Sequence, residues 1–220
     1  MYSNTIKEMI NIWFFDLRKF ESKDFYKSLE LFPLILQNDI KKYQFEKDRN
    51  SSLIARLLLR KAIIDTGHSI SLLDNWKRGP FNKPFIEGWD YFNISHSGDF
   101  VVLCFCTTLD IGIDIERIDT KIDVVSLLTY FNENEKDFIL NSNDKTVDFF
   151  HLWTRKEAVL KGISHGFYNG LKENDCSQNV VRNGNEYWFL KEVKIVENYI
   201  CYLAYTTVRE IGVKVREIKF

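Results

Sequence analysis

Apolar and polar positions along the chain change period several times, and each change marks an element. Residues 10–15 form a short run rich in β-branched and aromatic side chains, the signature of a strand. A polar stretch of mixed charge follows to about Asn50. From Leu53 the period becomes helical. Leu53, Ile54, Leu57, Leu58, Ala62 and Ile63 line one stripe, and Arg56, Arg60 and Lys61 lie towards the other side. Ser51 and Ser52 stand where a cap belongs, and Gly67 ends the run. Gly79-Pro80, Pro84 and Gly88 punctuate residues 76–90, which predicts a loop with a short extended piece around Phe85-Ile86. Residues 91–94 and 100–106 read as strands on either side of Ser95-His96-Ser97-Gly98-Asp99, the pattern of a hairpin. A further strand is expected over 109–115, and helices over 124–128, 133–140 and 146–163. In the last of these, Phe149, Leu152, Val159, Leu160 and Ile163 recur at helical spacing. After Gly170 the chain returns to strands at 186–190, 193–196, 200–206 and 213–218. Strand, helix, hairpin, strand, helices and strands, in that order, predict an α+β fold.

Composition narrows the possible functions. The 220 residues are 45% hydrophobic and 15% aromatic, enough to build a core and too apolar for disorder. Lys and Arg number 30 against 31 Asp and Glu, so the basic excess of a phosphate-neutralising nucleic-acid binder is absent. The apolar runs are far shorter than the ~20 residues that span a bilayer. The N-terminal apolar run meets Asp16 and Arg18 without a small-residue cleavage site, unlike a signal peptide. Neither a nucleic-acid nor a membrane partner is expected. Cys104, Cys106, Cys176 and Cys201 form no C-x-x-C pair, and reduced thiols in a cytoplasmic protein are the simplest account.

Three clusters carry candidate chemistry. In Asp110-Ile111-Gly112-Ile113-Asp114-Ile115-Glu116 the isoleucines share one face of a strand and the acids the other. Asp114 and Glu116 then lie ~7 Å apart and can converge on a hard cation, with Gly112 leaving room for a close approach. A half-buried strand with its acids in water is the ordinary alternative. In the long helix, Trp153, Glu157 and Lys161 share a face, with Lys156 adjacent. That set suits a metal-bound pyrophosphate, or it is an exposed ion pair worth ~0.3–0.5 kcal/mol. The run from Phe92 to Asp99 crowds hydroxyls, an imidazole and glycine-exposed amides together, which suits phosphate oxygens or a plain turn. A serine-hydrolase elbow is missing, because Asn93 stands two before Ser95, and Ser95 two before Ser97, where glycine is needed. His68, His151 and His165 are scattered, with His151 expected to pack or cap. Glycine-rich nucleotide loops are absent.

These motifs follow one another in a telling order: Asn82-Lys83-Pro84, Phe92-Asn93-Ile94-Ser95-His96-Ser97, Gly112-Ile113-Asp114-Ile115-Glu116, and Trp153-Thr154-Arg155-Lys156-Glu157-Ala158-Val159-Leu160-Lys161. The order resembles the 4′-phosphopantetheinyl transferases, specifically the surfactin-synthetase-activating type. The resemblance implies two similar α/β halves related by a pseudo-two-fold, 1–108 and 109–220, with the active site in the cleft between them. A cleft within one chain needs no partner subunit, so a monomer is expected.

The implied reaction moves phosphopantetheine from coenzyme A to a serine of an apo carrier protein and releases 3′,5′-ADP. Asp114, Glu116 and Glu157 would hold Mg²⁺, an oxygen-only set suited to that ion. Lys156 and Lys161 would neutralise the transferring group, and Ser95 and His96 would grip phosphate oxygens. Lys83 would reach the nucleotide end. Glu157 would take the serine proton, directly or through a metal-bound water. The family usually has Gly-Lys-Pro where Asn82-Lys83-Pro84 stands, and asparagine tolerates the positive φ such a turn needs. A basic residue that the family places near the start of the first long helix falls on Ser51 here. Arg49 would substitute, or Ser51 with backbone amides. Two rival functions stand beside it: a metal-dependent phosphohydrolase of coenzyme A or a nucleotide pyrophosphate, which would use the same carboxylates, and a non-catalytic module that binds carrier proteins.

Overall fold

The computed structural model describes residues 8–163 and 172–220. Strand β1 (Glu8–Asp16) shows how two-residue alternation builds the protein: Ile10 and Ile12 face one core, while Trp13 and Phe15 face another. Strand β5 (Phe100–Cys106) repeats the pattern. Its Phe100, Val102, Cys104 and Cys106 join the isoleucines of β1, and Val101, Leu103 and Phe105 point the other way. Strand β4 (Tyr91–Ser97) pairs antiparallel with β5 across a two-residue turn. The outward core is closed by α1 (Phe25–Leu29), α2 (Leu34–Lys41) and above all the helix α3 (Glu46–Asp65). Between α3 and β4, β2 (Trp76–Arg78) and β3 (Pro84–Ile86) form a small hairpin.

The second half repeats this plan. Strand β6 (Ile111–Arg117) leads through α4 (Val124–Leu127) and α5 (Glu133–Leu140) to the long α6 (Lys145–Ile163). Strands β7 (Val180–Asn183), β8 (Glu186–Glu192) and β9 (Tyr199–Tyr205) follow, and β10 (Ile211–Glu217) comes last. The sheets run β10-β1-β5-β4 and β6-β9-β8-β7. In each half the opening strand pairs antiparallel with the final strand of a hairpin made after a long helix, as β1-β5-β4 and β6-β9-β8. Strand β10 leaves this scheme and returns to lie parallel to β1 in the first sheet.

Three cores result. One lies between the first sheet and α3, and a second between the second sheet and α5–α6. The third lies between the sheets, where Ile10, Ile12 and Val102 of the first half meet Ile113, Ile115 and Leu203 of the second. The layers therefore read helix, sheet, sheet, helix, an α+β arrangement as expected.

Several local expectations change. Helix α3 begins at Glu46, so Ser51 and Ser52 are buried inside it, and Ser51 Oγ donates back to the Lys47 carbonyl at 2.9 Å. The stretch before α3 contains two short helices. Residues 193–196 form a connection in which Val193 N–H bonds to the Cys201 carbonyl, and β7 is an added strand. Gly170 and His165 lie outside the described residues. Cys104, Cys106, Cys176 and Cys201 are free and buried. Among the described residues no helix is long and apolar enough to cross a membrane.

Candidate active site

The site forms where β4, β6 and α6 meet. The isoleucines of β6 are committed to the core between the sheets, so Gly112, Asp114 and Glu116 face α6. Gly112 permits a very close approach: a Cβ built on it would lie 2.0 Å from the Ala158 carbonyl and 2.5 Å from Gly162 N. What the glycine admits is the helix. α6 in turn carries Trp153, Glu157 and Lys161 on one face, three and four residues being one turn.

Lys161 Nζ donates to Asp114 Oδ1 at 2.5 Å and to Ser95 Oγ at 2.9 Å, and Ser95 Oγ donates to the same Asp114 oxygen at 2.7 Å. Ser97 Oγ donates to Glu116 Oε2 at 2.7 Å, and the Trp153 indole also hydrogen-bonds this carboxylate. Asp114 is 2% exposed, and among the described residues its buried Oδ2 has no hydrogen-bond partner, nor has the buried Glu157 Oε1.

Charge follows from this crowding. Burial, followed by repulsion from Asp114, raises the Glu116 pKa to about 7, against the pull of Ser97, Lys161 and Trp153. Burial also raises Glu157 to about 7, where Asp114 and Glu116 outweigh part of the Lys161 attraction. Burial works against the Lys161 charge, but Asp114 and then the two glutamates more than offset it, and its pKa is raised. His96 stands between Ser95 and Ser97 on β4, so strand alternation turns its side chain to the opposite face, where it is exposed. Desolvation, then Lys161, and more weakly Arg56, hold its pKa below the usual imidazole value, so it is neutral at pH 7.

β4 and β6 run side by side without a shared backbone ladder. Side chains of β4 take the place of one. Asn93 Oδ1 accepts the Ile113 N–H at 2.9 Å, Ser95 Oγ accepts Ile115 N–H at 3.4 Å and Ser97 Oγ accepts Arg117 N–H at 3.1 Å. Three residues at i, i+2 and i+4 on one strand thus seal the edge of the next. Sequence reasoning placed Ser95 against phosphate, whereas here its hydroxyl holds Asp114. It assigned no role to Asn93 or Tyr199 and counted Ser97 only among the hydroxyls of a phosphate-binding tip, although the alternation of Asn93, Ser95 and Ser97 is visible as one polar strand face.

Three expected ligands are engaged by protein groups. Lys156, 1% exposed, pairs with fully buried Glu135 at 2.7 Å and donates to the Asn174 carbonyl at 2.8 Å. It pins α6 to α5 within the second core and does not fit a pyrophosphate-gripping role. Arg49 spends its guanidinium on the Tyr43 and Gln44 carbonyls, at 3.1 and 2.6 Å, which ties the loop before α3 to the helix. Lys83 reaches across from the β2–β3 hairpin to the Gly162 carbonyl at 2.8 Å, a cation at the C-terminal end of α6. Phe81 and Asn82 adopt positive φ, so the turn before Lys83 forms with asparagine in the glycine position. His151 Nδ1 lies 3.1 Å from the Tyr202 hydroxyl, a packing role as expected.

Among the described residues no three His, Cys, Asp or Glu side chains are drawn together as a finished metal site. The chemistry of the donors nonetheless fits a hard divalent cation. Asp114, Glu116 and Glu157 are all oxygen donors, and two of them keep a buried oxygen that nothing among the described residues bonds.

Comparison with known proteins now decides the family. A family model described as 4′-phosphopantetheinyl transferase superfamily matches residues 110–204, and one described as 4′-phosphopantetheinyl transferase, N-terminal, matches residues 20–108. The 4′-phosphopantetheinyl transferase gsp of Aneurinibacillus migulanus is 33% identical over 168 residues, covering 73% of this chain and 70% of that protein. The chain belongs to the 4′-phosphopantetheinyl transferase superfamily. The 4′-phosphopantetheinyl transferase Sfp of Bacillus subtilis is 30% identical over 132 residues, which cover 57% of each chain. A solved holo-[acyl-carrier-protein] synthase of Thermotoga maritima aligns with a TM-score of 0.35 at 12% identity, over 46% of this chain and 66% of that one. This transferase is an enzyme that moves phosphopantetheine to carrier proteins.

Proposed function

We propose that the transferase uses coenzyme A as donor and a carrier-protein serine as acceptor, with magnesium held by Asp114, Glu116 and Glu157. The observation that carries this reading is a pair of buried oxygens, Asp114 Oδ2 and Glu157 Oε1, with no partner among the described residues, beside an ammonium that already leans on Asp114. A magnesium ion bound there supplies positive charge against the pyrophosphate oxygens.

The chain's own groups do the rest. The serine oxygen forms a bond to the β-phosphorus while the bond from that phosphorus to the bridging oxygen breaks, and the electron pair departs with 3′,5′-ADP. Glu157 takes the proton from the serine hydroxyl. Lys161, held between Asp114 and Ser95, offers its charge to the transferring phosphoryl oxygens. Neutral His96 donates a hydrogen bond to phosphate without adding charge. Positioning and charge stabilisation are the main demands of phosphoryl transfer, and both are built into α6 and β6. The buried free cysteines support a cytoplasmic setting, and the near-neutral charge supports a protein rather than a nucleic-acid partner. The enzyme works as a monomer, each half supplying part of one site.

Intact-mass analysis of an apo carrier protein tests this directly. Incubation with the transferase, coenzyme A and Mg²⁺ should add one phosphopantetheine, and EDTA or Asp114→Ala should abolish the gain. Full activity of Asp114→Ala sinks the metal assignment. Coenzyme A consumed without carrier modification indicates a phosphohydrolase instead.

A further inference from the structure

The turn between β4 and β5 belongs to the first half but is clasped by the second. Gly98 takes φ +57, and a Cβ there would lie 2.2 Å from the Tyr199 hydroxyl and 3.0 Å from Arg117 Cδ, so glycine is needed for conformation and for space. The Asp99 N–H donates to the Tyr199 hydroxyl at 3.0 Å. The Tyr199 ring packs edge-on against Phe100 with centroids 5.0 Å apart. On the other side Leu17 N–H donates to the Asp99 carbonyl at 2.8 Å, so the turn is also held by the residue that follows β1. One residue before it stands Ser97, whose hydroxyl donates to Glu116 at 2.7 Å while accepting the Arg117 N–H at 3.1 Å. With both its donor and an acceptor lone pair engaged, this hydroxyl has one orientation, and it fixes one Glu116 oxygen.

We propose that the Ser97–Asp99 turn is a latch between the halves, and that Ser97 and Tyr199 are positioning residues for the transferase. Tyr199 fixes the turn, the turn fixes the Ser97 hydroxyl, and Ser97 aims Glu116. The two serines of β4 then divide the work: Ser95 holds Asp114 from the first half, and Ser97 holds Glu116 in the same way one strand period further on. This rests on the reading that Glu116 is a magnesium ligand. Groups that orient a metal-binding carboxylate typically cost ~10–100-fold in metal affinity or activity when removed.

The test measures Mn²⁺ affinity by electron paramagnetic resonance without coenzyme A, and steady-state transfer with Mg²⁺, for wild type, Ser97→Ala, Ser97→Thr, Tyr199→Phe and Glu116→Ala. Ser97→Ala should weaken Mn²⁺ binding ~10-fold or more and lower kcat similarly at limiting Mg²⁺, with the KM for carrier protein unchanged. Ser97→Thr, which keeps the hydroxyl, should restore most of both. Tyr199→Phe loses only the oxygen and should shift both in the same direction by a smaller factor. That variant also carries the test if Ser97→Ala fails to fold. Wild-type metal affinity and kcat in Ser97→Ala and Tyr199→Phe, beside an impaired Glu116→Ala, overturn the latch alone. Wild-type metal affinity and transfer in Glu116→Ala overturn the ligand assignment, and the latch with it.

Discussion

Lys156 and Glu157 are neighbours in sequence but point about 100° apart around α6, and this rotation separates structure from chemistry. Lys156 is sealed in the second core against Glu135, whose other oxygen completes the capping box of α5 by accepting Asn132 N–H at 3.0 Å. Removing the ammonium leaves a buried carboxylate with no counter-charge. Lys156→Ala should therefore lose about 3–5 kcal/mol of stability in thermal melts, while kcat measured below the melting range stays near wild type. Glu157 should behave in the opposite manner. Its pKa in the folded protein, about 7, exceeds the ordinary value of 4.5, so the folded state binds the extra proton between those limits. The metal-free protein should lose stability as pH rises through that window. Glu157→Gln should melt progressively higher than wild type from pH 5 to 7.5 in EDTA, and Mg²⁺ should close the gap by stabilising only the wild type. A gap that does not change with pH would contradict the raised pKa.

At the scale of elements, the distance between β6 and α6 decides whether the carboxylates and Lys161 meet. Two glycines set it, Gly112 against the α6 backbone and Gly162 against the Trp188 ring, where an added Cβ would lie 2.3 Å from a ring carbon. Gly112→Ala must push α6 outward. A displacement of ~1 Å at such a site can cost ~100-fold in rate, and overpacking ~1–3 kcal/mol, so transfer assays and melts should both register it. Much of this element was legible in the sequence. Alternating isoleucines marked β6 as a strand with its acids on one face, and helical spacing grouped Trp153, Glu157 and Lys161. The burial of Lys156 was not legible, because its partner lies 21 positions away and only packing brings them together. The start of α3 was misread for a chemical reason. Ser51 and Ser52 are good cap residues, but within a helix serine can bond backwards to a carbonyl, as Ser51 does, and the charged first turn from Glu46 offers no apolar period to reveal it. Likewise Val193 and Ile195 have strand-like composition because they pack into the core between the sheets, although β8 ends at Glu192 and Val193 keeps its hydrogen bond to Cys201 of β9 without continuing the strand.

The whole molecule is held together by a core that neither half owns. Ile113 and Leu203 of the second half have no other apolar layer to enter than the one formed by Ile10, Ile12 and Val102. The halves should consequently unfold in a single transition. Amide exchange should give the same global opening free energy for the slowest protons of β5 and β9, and circular dichroism and tryptophan fluorescence should report coincident melts. Separate transitions would mean that the shared core is weaker than the two outer ones. Strand β10 reinforces the union, since its pairing with β1 runs from Glu8 opposite Ile211 to Phe14 opposite Glu217. That pairing also has a consequence for manufacture. At ~5–20 residues per second, a ribosome completes β1 roughly 10–40 s before β10 exists. For that interval one margin of the nascent first sheet offers its main-chain donors and acceptors to any extended chain nearby, a second nascent copy included. The speed of translation across the second half, and the supply of chaperones during it, then govern how much of the protein a cell recovers.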